Sequence, residues 1–142
     1  MGSVYECDDI KKGGTYAVKL LHGDLLSTQK GRRNFARECK ALAKLAHPNV
    51  LQVIESGVDG DLPYLVTELC LDRTGQPFTL ATLAKRQKGR LRVEDVHRIF
   101  PKILFAIAFV HGHGLVHRDL KPDNVFLRES GWDWEVKVGD FG

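Results

Sequence analysis

His117-Arg118-Asp119-Leu120-Lys121-Pro122-Asp123-Asn124, followed by Asp140-Phe141-Gly142, is the stretch whose reading decides the fold. Within eight residues it sets a carboxylate at 119, an ammonium at 121 and an amide at 124, and a second carboxylate follows at 140. Carboxylate and amide oxygens are hard ligands that suit a hard cation. The plainer reading is a polar turn at a helix-strand junction, but such a turn needs no base, cation and oxygen ligands in fixed order.

Upstream of this stretch the apolar residues change period. Val4-Tyr5-Glu6 and Tyr16 to Leu20 flank the turn-prone Lys12-Gly13-Gly14, which predicts an antiparallel hairpin. Phe35, Cys39, Leu42 and Leu45 predict a helix from about Lys30 to Leu45, ended by His47-Pro48-Asn49. Strands are expected at Leu51 to Glu55 and Tyr64 to Thr67. After the turn cluster from Asp72 to Pro77 the chain reads as helical. Leu80 and Leu83 mark a short helix, and Val96, Ile99, Phe100, Ile103, Leu104, Ile107 and Ala108 form the stripe of a longer one from Val93 to His111. Pro101 lies inside it and predicts a kink or a late start. Val125 to Leu127 and Trp134 to Val138 read as strands around a turn at Glu129-Ser130-Gly131, with Trp132 and Trp134 covering the hairpin's apolar edge.

Composition narrows the class. With 43% hydrophobic and 27% charged residues in 142, the chain has the mixture of a folded domain rather than a disordered one. A net charge of +3 is spread over short pairs such as Lys11-Lys12 and Arg32-Arg33, so solvated faces explain it better than nucleic-acid binding. Cys7, Cys39 and Cys70 are odd in number and irregularly spaced, which argues against a disulfide framework or a zinc site and fits a reducing cytoplasm. His111, His113 and His117 lack a cysteine or acidic partner at zinc spacing. The apolar run from Ile103 to Val110 falls far short of the roughly 20 residues that span a bilayer.

Taken with Ala17-Val18-Lys19, the opening motifs make the chain resemble a eukaryotic-type serine/threonine protein kinase, and the resemblance covers nearly all of it. It implies an α+β, two-lobed fold. Residues 1–71 would form the first lobe, an antiparallel sheet plus one helix ending in a hinge, and residues 72–142 the first part of a helical second lobe. The resemblance also implies ATP and Mg2+ as cofactors, a protein Ser/Thr hydroxyl as acceptor and transfer of the γ-phosphoryl group.

Roles follow by position. Asp119 would orient the attacking hydroxyl and receive its proton, and Lys121 would neutralise charge on the transferred group. Asn124 and Asp140 would hold magnesium. Lys19 would grip the α- and β-phosphates, oriented by Glu38; a surface charge pair with Arg37 or Lys40 is the alternative for Glu38. Val4 would cover adenine, Ala17 and Phe126 would close on either side of it, Thr67 would be the gatekeeper, and backbone groups of Glu68 and Cys70 would hydrogen-bond its edge. His117 would pack on Phe141 rather than act as a base, and Arg118 resembles the arginine that meets a phosphorylated activation loop. Leu42, Val53, His117 and Phe141 resemble the side chains stacked between the lobes.

Lys121-Pro122 favours the serine/threonine branch over tyrosine kinases and over small-molecule phosphotransferases. Gly2-Ser3-Val4-Tyr5 resembles the end of a glycine-rich loop whose earlier glycines are absent, so Met1 is expected to be internal to a longer reading frame. The activation segment is absent too, and on that ground the isolated chain is expected to be weakly active at best and prone to aggregate. A catalytically inactive nucleotide- or partner-binding module is the alternative. The style of the sequence is closer to bacterial than to animal kinases.

Overall fold

The computed structural model describes residues 2–21, 28–60 and 62–141. The chain divides into two compact units. One holds the described residues up to Ala46 together with Gln52–Leu69, the other His47–Leu51 and the described residues from Cys70 onward.

The first unit is a four-stranded antiparallel sheet with one helix. Its strands are β1 (Gly2–Asp8), β2 (Thr15–Leu21), β3 (Val53–Asp59) and β4 (Leu62–Glu68), in the order β1-β2-β4-β3. The predicted first hairpin forms, with Tyr5 opposite Val18. Its turn is organised by Asp9, whose carboxylate accepts the backbone N–H groups of Lys11 and Lys12 at 2.8 and 2.9 Å. The chain then needs positive φ at 13 and 14 (76° and 100°), which glycine adopts without a Cβ clash. Helix α1 (Gln29–Ala43) starts where the Thr28 hydroxyl accepts the Gly31 N–H at 3.1 Å, and it packs on β3 through a face that buries Cys39 and Leu42.

The second unit contains α2 (Leu80–Arg86), α3 (Val93–Gly112), a 3-10 turn (Pro122–Asn124) and the hairpin of β5 (Val125–Ser130) and β6 (Asp133–Val138). Helix α3 packs on β6. Its buried face is Asp95, Ile99, Ile103, Ala106 and Val110, against a hairpin that buries Val125, Leu127, Val136 and Val138. Each fully buried aliphatic side chain contributes about 1.5–3 kcal/mol relative to exposure.

Several expectations need correction. Leu51 does not begin a strand of the first sheet: its N–H donates to Val138 O at 2.8 Å, Val138 N–H donates to Asn49 O at 2.8 Å, and Asn49 Nδ2 donates to Val136 O at 3.0 Å. Residues 49–51 are therefore spent on β6, and β3 starts only at Val53. The predicted stripe of α3 is half right, because Phe100 and Leu104 are exposed. The helix does not start late; it runs from Val93 through Pro101, which sits on its exposed side. The second hairpin turns at Gly131-Trp132 rather than at Glu129-Ser130-Gly131, because Glu129 and Ser130 pair with Trp134 and Asp133, and Gly131 takes φ 62°. Its tryptophans do not act as a pair: Trp134 is buried against Phe78, whereas Trp132 is 79% exposed beneath the Arg98 guanidinium. Among the described residues no helix is long and apolar enough to cross a membrane.

Candidate active site

Every group of the opening motif lies in the second unit, and three of them touch. Asp119 Oδ2 accepts from Lys121 Nζ at 2.7 Å, and Asn124 Nδ2 donates to Asp119 O at 2.8 Å and to Asp119 Oδ2 at 3.2 Å. The Lys121 ammonium is the main reason the Asp119 carboxyl lies below the ordinary carboxylate range; desolvation opposes it, and the Asn124 hydrogen bond adds to the lowering. Reciprocally, the hydrogen bond to Asp119 raises Lys121, and the nearby charges of Asp123 and Asp140 act in the same direction. Asp119 is thus an anion and Lys121 a cation at every physiological pH.

Two local features hold this loop. His117 is buried (3% exposed), and its Nε2 lies 2.8 Å from Gly139 O, while the Asp119 N–H, which donates to the His117 carbonyl at 2.8 Å, also reaches Nδ1 at 3.3 Å. A carbonyl can only accept, so Nε2 carries the proton and Nδ1 is the acceptor. With both nitrogens engaged and the ring 4.4 Å from that of Phe141, His117 is a structural residue rather than a base. The second feature is the open end of the β5-β6 hairpin. Gly139 N–H donates to Asn124 O at 2.9 Å, one step beyond the Val125–Val138 pair. Asn124 thus pairs with the residue just before Asp140, which brings both to the same open end of the hairpin.

The donor chemistry fits a hard cation. The amide nitrogen of Asn124 is committed to Asp119 O, which fixes the amide's orientation and makes the carbonyl oxygen the atom that could face a cation. With the Asp140 carboxylate this gives two oxygen donors, the small number suited to magnesium, which keeps most of its waters. Asp140 is held at φ 59° and Arg118 at φ 63°, left-handed conformations uncommon for residues with a side chain.

In the first unit, register gathers four of the predicted nucleotide-binding residues. Val4 lies opposite Lys19 on the β1-β2 pair, and Ala17 lies opposite Thr67 and Lys19 opposite Leu65 on the β2-β4 pair. Directly opposed residues share a face and alternate residues of a strand share it too. Val4, Ala17, Lys19 and Thr67 therefore occupy one face of the sheet. Glu38 is half-buried on α1, where its charge helps raise the thiol of Cys39. Glu68 closes β4 and is bonded to Gln52. Cys70, half-buried, opens the second unit, and Phe126 lies on β5, bridged to Thr79.

Three contributors escaped sequence reasoning. Gly139 is one: a Cβ there would stand 2.8 Å from Leu51 Cδ2, so the chain before Asp140 packs closely because the position is glycine. Asp95 and Lys102 are the others. Asp95 accepts from Trp134 Nε1 at 2.8 Å and from Gln87 Nε2 at 2.6 Å, and Lys102 bonds Asp133 and the Trp134 carbonyl, tying the hairpin to α3. A charged residue one turn before Ile99, on the apolar side of the helix, was the available signal for Asp95.

Residues 1–142 match the family model described as protein kinase domain. Serine/threonine-protein kinase PrkC of Bacillus subtilis is 32% identical over 142 residues, covering 100% of this chain and 20% of the relative. PksC of Streptomyces coelicolor is 37% identical over 147 residues, covering 99% of this chain and 25% of the relative. The solved kinase domain of Mycobacterium tuberculosis PknI superposes with a TM-score of 0.81 at 28% identity, over 99% of this chain and 54% of that one. A Rad53 structure in complex with AMP-PNP gives 0.80 at 27% identity, over 99% and 34%. The chain thus spans a quarter or less of the two curated relatives and about half of the PknI kinase domain.

Proposed function

We propose that this chain, which belongs to the protein kinase domain family, carries the phosphoryl-transfer groups of a serine/threonine protein kinase and transfers the γ-phosphoryl group of ATP to a Ser or Thr hydroxyl of a protein. The observation that carries the reading is the Asp119 carboxylate held between the Lys121 ammonium and the Asn124 amide.

The acceptor hydroxyl would lie against Asp119 Oδ. Its oxygen forms the new bond to the γ-phosphorus as the bond from that phosphorus to the β-bridging oxygen breaks; the electron pair leaves with ADP and the hydroxyl proton passes to Asp119. A carboxylate this acidic is a weak base, which suits a loose transition state in which the proton moves late and orientation matters more than basicity. Lys121 counters charge on the γ-phosphoryl oxygens. Asn124 and Asp140 would hold magnesium, which would supply positive charge to offset that of the phosphates. Lys19, oriented by Glu38, would hold the α- and β-phosphates; Val4, Ala17, Thr67 and Phe126 would enclose the base; backbone groups of Glu68 and Cys70 would bond its edge.

The intact set of Lys19, Glu38, Asp119, Lys121, Asn124 and Asp140 favours catalysis over a binding-only module. Lys121-Pro122 supports a protein acceptor, and the odd number and irregular spacing of Cys7, Cys39 and Cys70 suit a reducing cytoplasm. The test is magnesium-dependent ATP binding and phosphorylation of a basic protein substrate. Lys19→Met and Asp140→Ala should each weaken binding, and Asp119→Asn should retain binding while transfer falls about 10²–10⁴-fold. Unchanged binding in both of the first two variants would sink the site assignment.

A further inference from the structure

Glu68 has a second contact that the transfer chemistry does not use. Its backbone N–H donates to Gln52 O at 3.0 Å, and the Gln52 N–H returns a bond, not to the Glu68 carbonyl but to its side chain, Oε1, at 2.7 Å. In a regular antiparallel pair the two residues would exchange both bonds through their backbones. Here the carboxylate takes the N–H that the Glu68 carbonyl would otherwise receive. Gln52 stands just before β3, whose pairing with β4 is irregular between Val53 and Glu55, so this exchange falls where the ladder is already ending. The Gln52 side chain turns elsewhere, donating from Nε2 to Val53 O at 3.0 Å. Both residues are half-buried, where a charge-assisted bond to a backbone amide is stronger than a neutral one.

We propose that the Glu68 side chain is a positioning residue for base recognition: by standing in for its own carbonyl on Gln52, it lets that carbonyl be directed to the purine edge. This rests on the adenine reading given above. The specificity follows from chemistry. A fixed carbonyl accepts from the exocyclic amine of adenine, whereas guanine carries an oxygen at the same ring position and is repelled. Remove the carboxylate, and the Gln52 N–H is satisfied by drawing the carbonyl back into the ladder.

Isothermal titration of the chain with Mg-ADP and Mg-GDP tests this. Glu68→Ala should weaken ADP binding about tenfold, the worth of roughly one hydrogen bond, with GDP binding little changed, so that the ADP/GDP preference falls by the same factor. Glu68→Gln keeps an acceptor at Oε1 and should stay within about threefold of the parent chain. Glu68→Asp withdraws the carboxylate by one methylene and should lie between, which decides the matter if the alanine variant does not fold. Equal weakening of both nucleotides, equal loss in the alanine and glutamine variants, or no change in any variant would overturn the proposal. Absence of ADP binding by the parent chain is a separate result, and it would overturn the nucleotide reading and this inference with it.

Discussion

Replacing Asp95 by alanine should cost the second unit about 3 kcal/mol, because it removes a buried carboxylate, at the junction between α3 and the β5-β6 hairpin, that has two donors aimed at it. Asp95 is 7% exposed and Trp134 8%. Trp134 Nε1 donates to one carboxylate oxygen at 2.8 Å and Gln87 Nε2 to the other at 2.6 Å. A hydrogen bond to a charged group is worth about 1.5–3 kcal/mol. The indole N–H, buried against Phe78, has no access to water once the carboxylate is gone and contributes most of the loss. Gln87 is less enclosed and recovers part of its bond from solvent. Asp95→Asn should cost less, about 1–2 kcal/mol, since its carbonyl still accepts from Trp134. Its amide nitrogen then faces that of Gln87, which cannot turn over without giving up the bond its Oε1 accepts from the Arg92 N–H at 2.7 Å.

Urea unfolding followed by far-ultraviolet circular dichroism measures these losses, and a double-mutant cycle with Trp134→Phe isolates the shared bond, expected at about 1.5–2 kcal/mol. Acid provides an independent check. Burial is the largest single influence on the Asp95 carboxyl and pushes its pKa up, but the bonds from Gln87 and Trp134, with the charges of Arg92 and Arg98, outweigh it and leave the pKa lowered. The stabilisation is thus present above the unfolded-state value and lost as pH falls through the folded one. The gap between parent and Asp95→Asn should close in that acid window. A loss under about 0.5 kcal/mol for the alanine variant, or additive effects in the cycle, would refute the reasoning.

Three shorter predictions accompany it. Because the Lys121 ammonium holds Asp119 down, Lys121→Met should move the acid limb of the kcat/KM profile to higher pH as well as slow transfer; an unmoved limb would mean Asp119 is not the titrating group. Gly139→Ala should destabilise by about 1–2 kcal/mol, since its Cβ would meet Leu51 Cδ2 at 2.8 Å and Phe126 Cε2 at 3.1 Å, and Leu51→Ala in the same chain should recover part of that loss in urea midpoint; strict additivity would count against the contact. The Cys39 thiol is 2% exposed and pushed up to about 11, first by burial and then by Glu38, so N-ethylmaleimide at pH 8 should label exposed Cys7 first and spare Cys39 in the folded chain, as peptide mass spectrometry would show.

What the sequence disclosed follows from the range of the interactions involved. Asp119, Lys121 and Asn124 meet through contacts two and five residues apart, so their spacing carried the geometry. The first hairpin was equally local, because Gly13 and Gly14 supply the positive φ its turn needs. The strand expected from Leu51 starts too early because the segment before Val53 has its partners on β6: Asn49 bonds a residue 87 positions away, and nothing in Leu51 itself distinguishes a strand of one sheet from a rung on another. Helix α3 was ambiguous for a different reason. It carries apolar residues on two faces, and periodicity alone cannot say that Ile99, Ile103, Ala106 and Val110 face β6 while Leu104 and Phe105 face outward.

The site itself depends on combining these two kinds of information at His117. Arg118 and Asp140 both hold left-handed backbone, a conformation that costs a residue with a side chain about 1–2 kcal/mol and persists only where neighbours enforce it. His117 adjoins the first and reaches the second: Nδ1 receives the Asp119 N–H just beyond Arg118, Nε2 donates to Gly139 O just before Asp140, and the ring lies against Phe141 just after it. His117, through its backbone carbonyl and Nδ1 on one side and Nε2 on the other, therefore bonds the neighbours of both strained residues. The short-range half of this link, the histidine two residues before a carboxylate, is visible in the sequence. Its bond to Gly139, 22 residues away, exists only once the β5-β6 hairpin has folded back to present that carbonyl. Substitutions at His117 should therefore disturb the backbone before Asp119 and before Asp140 together.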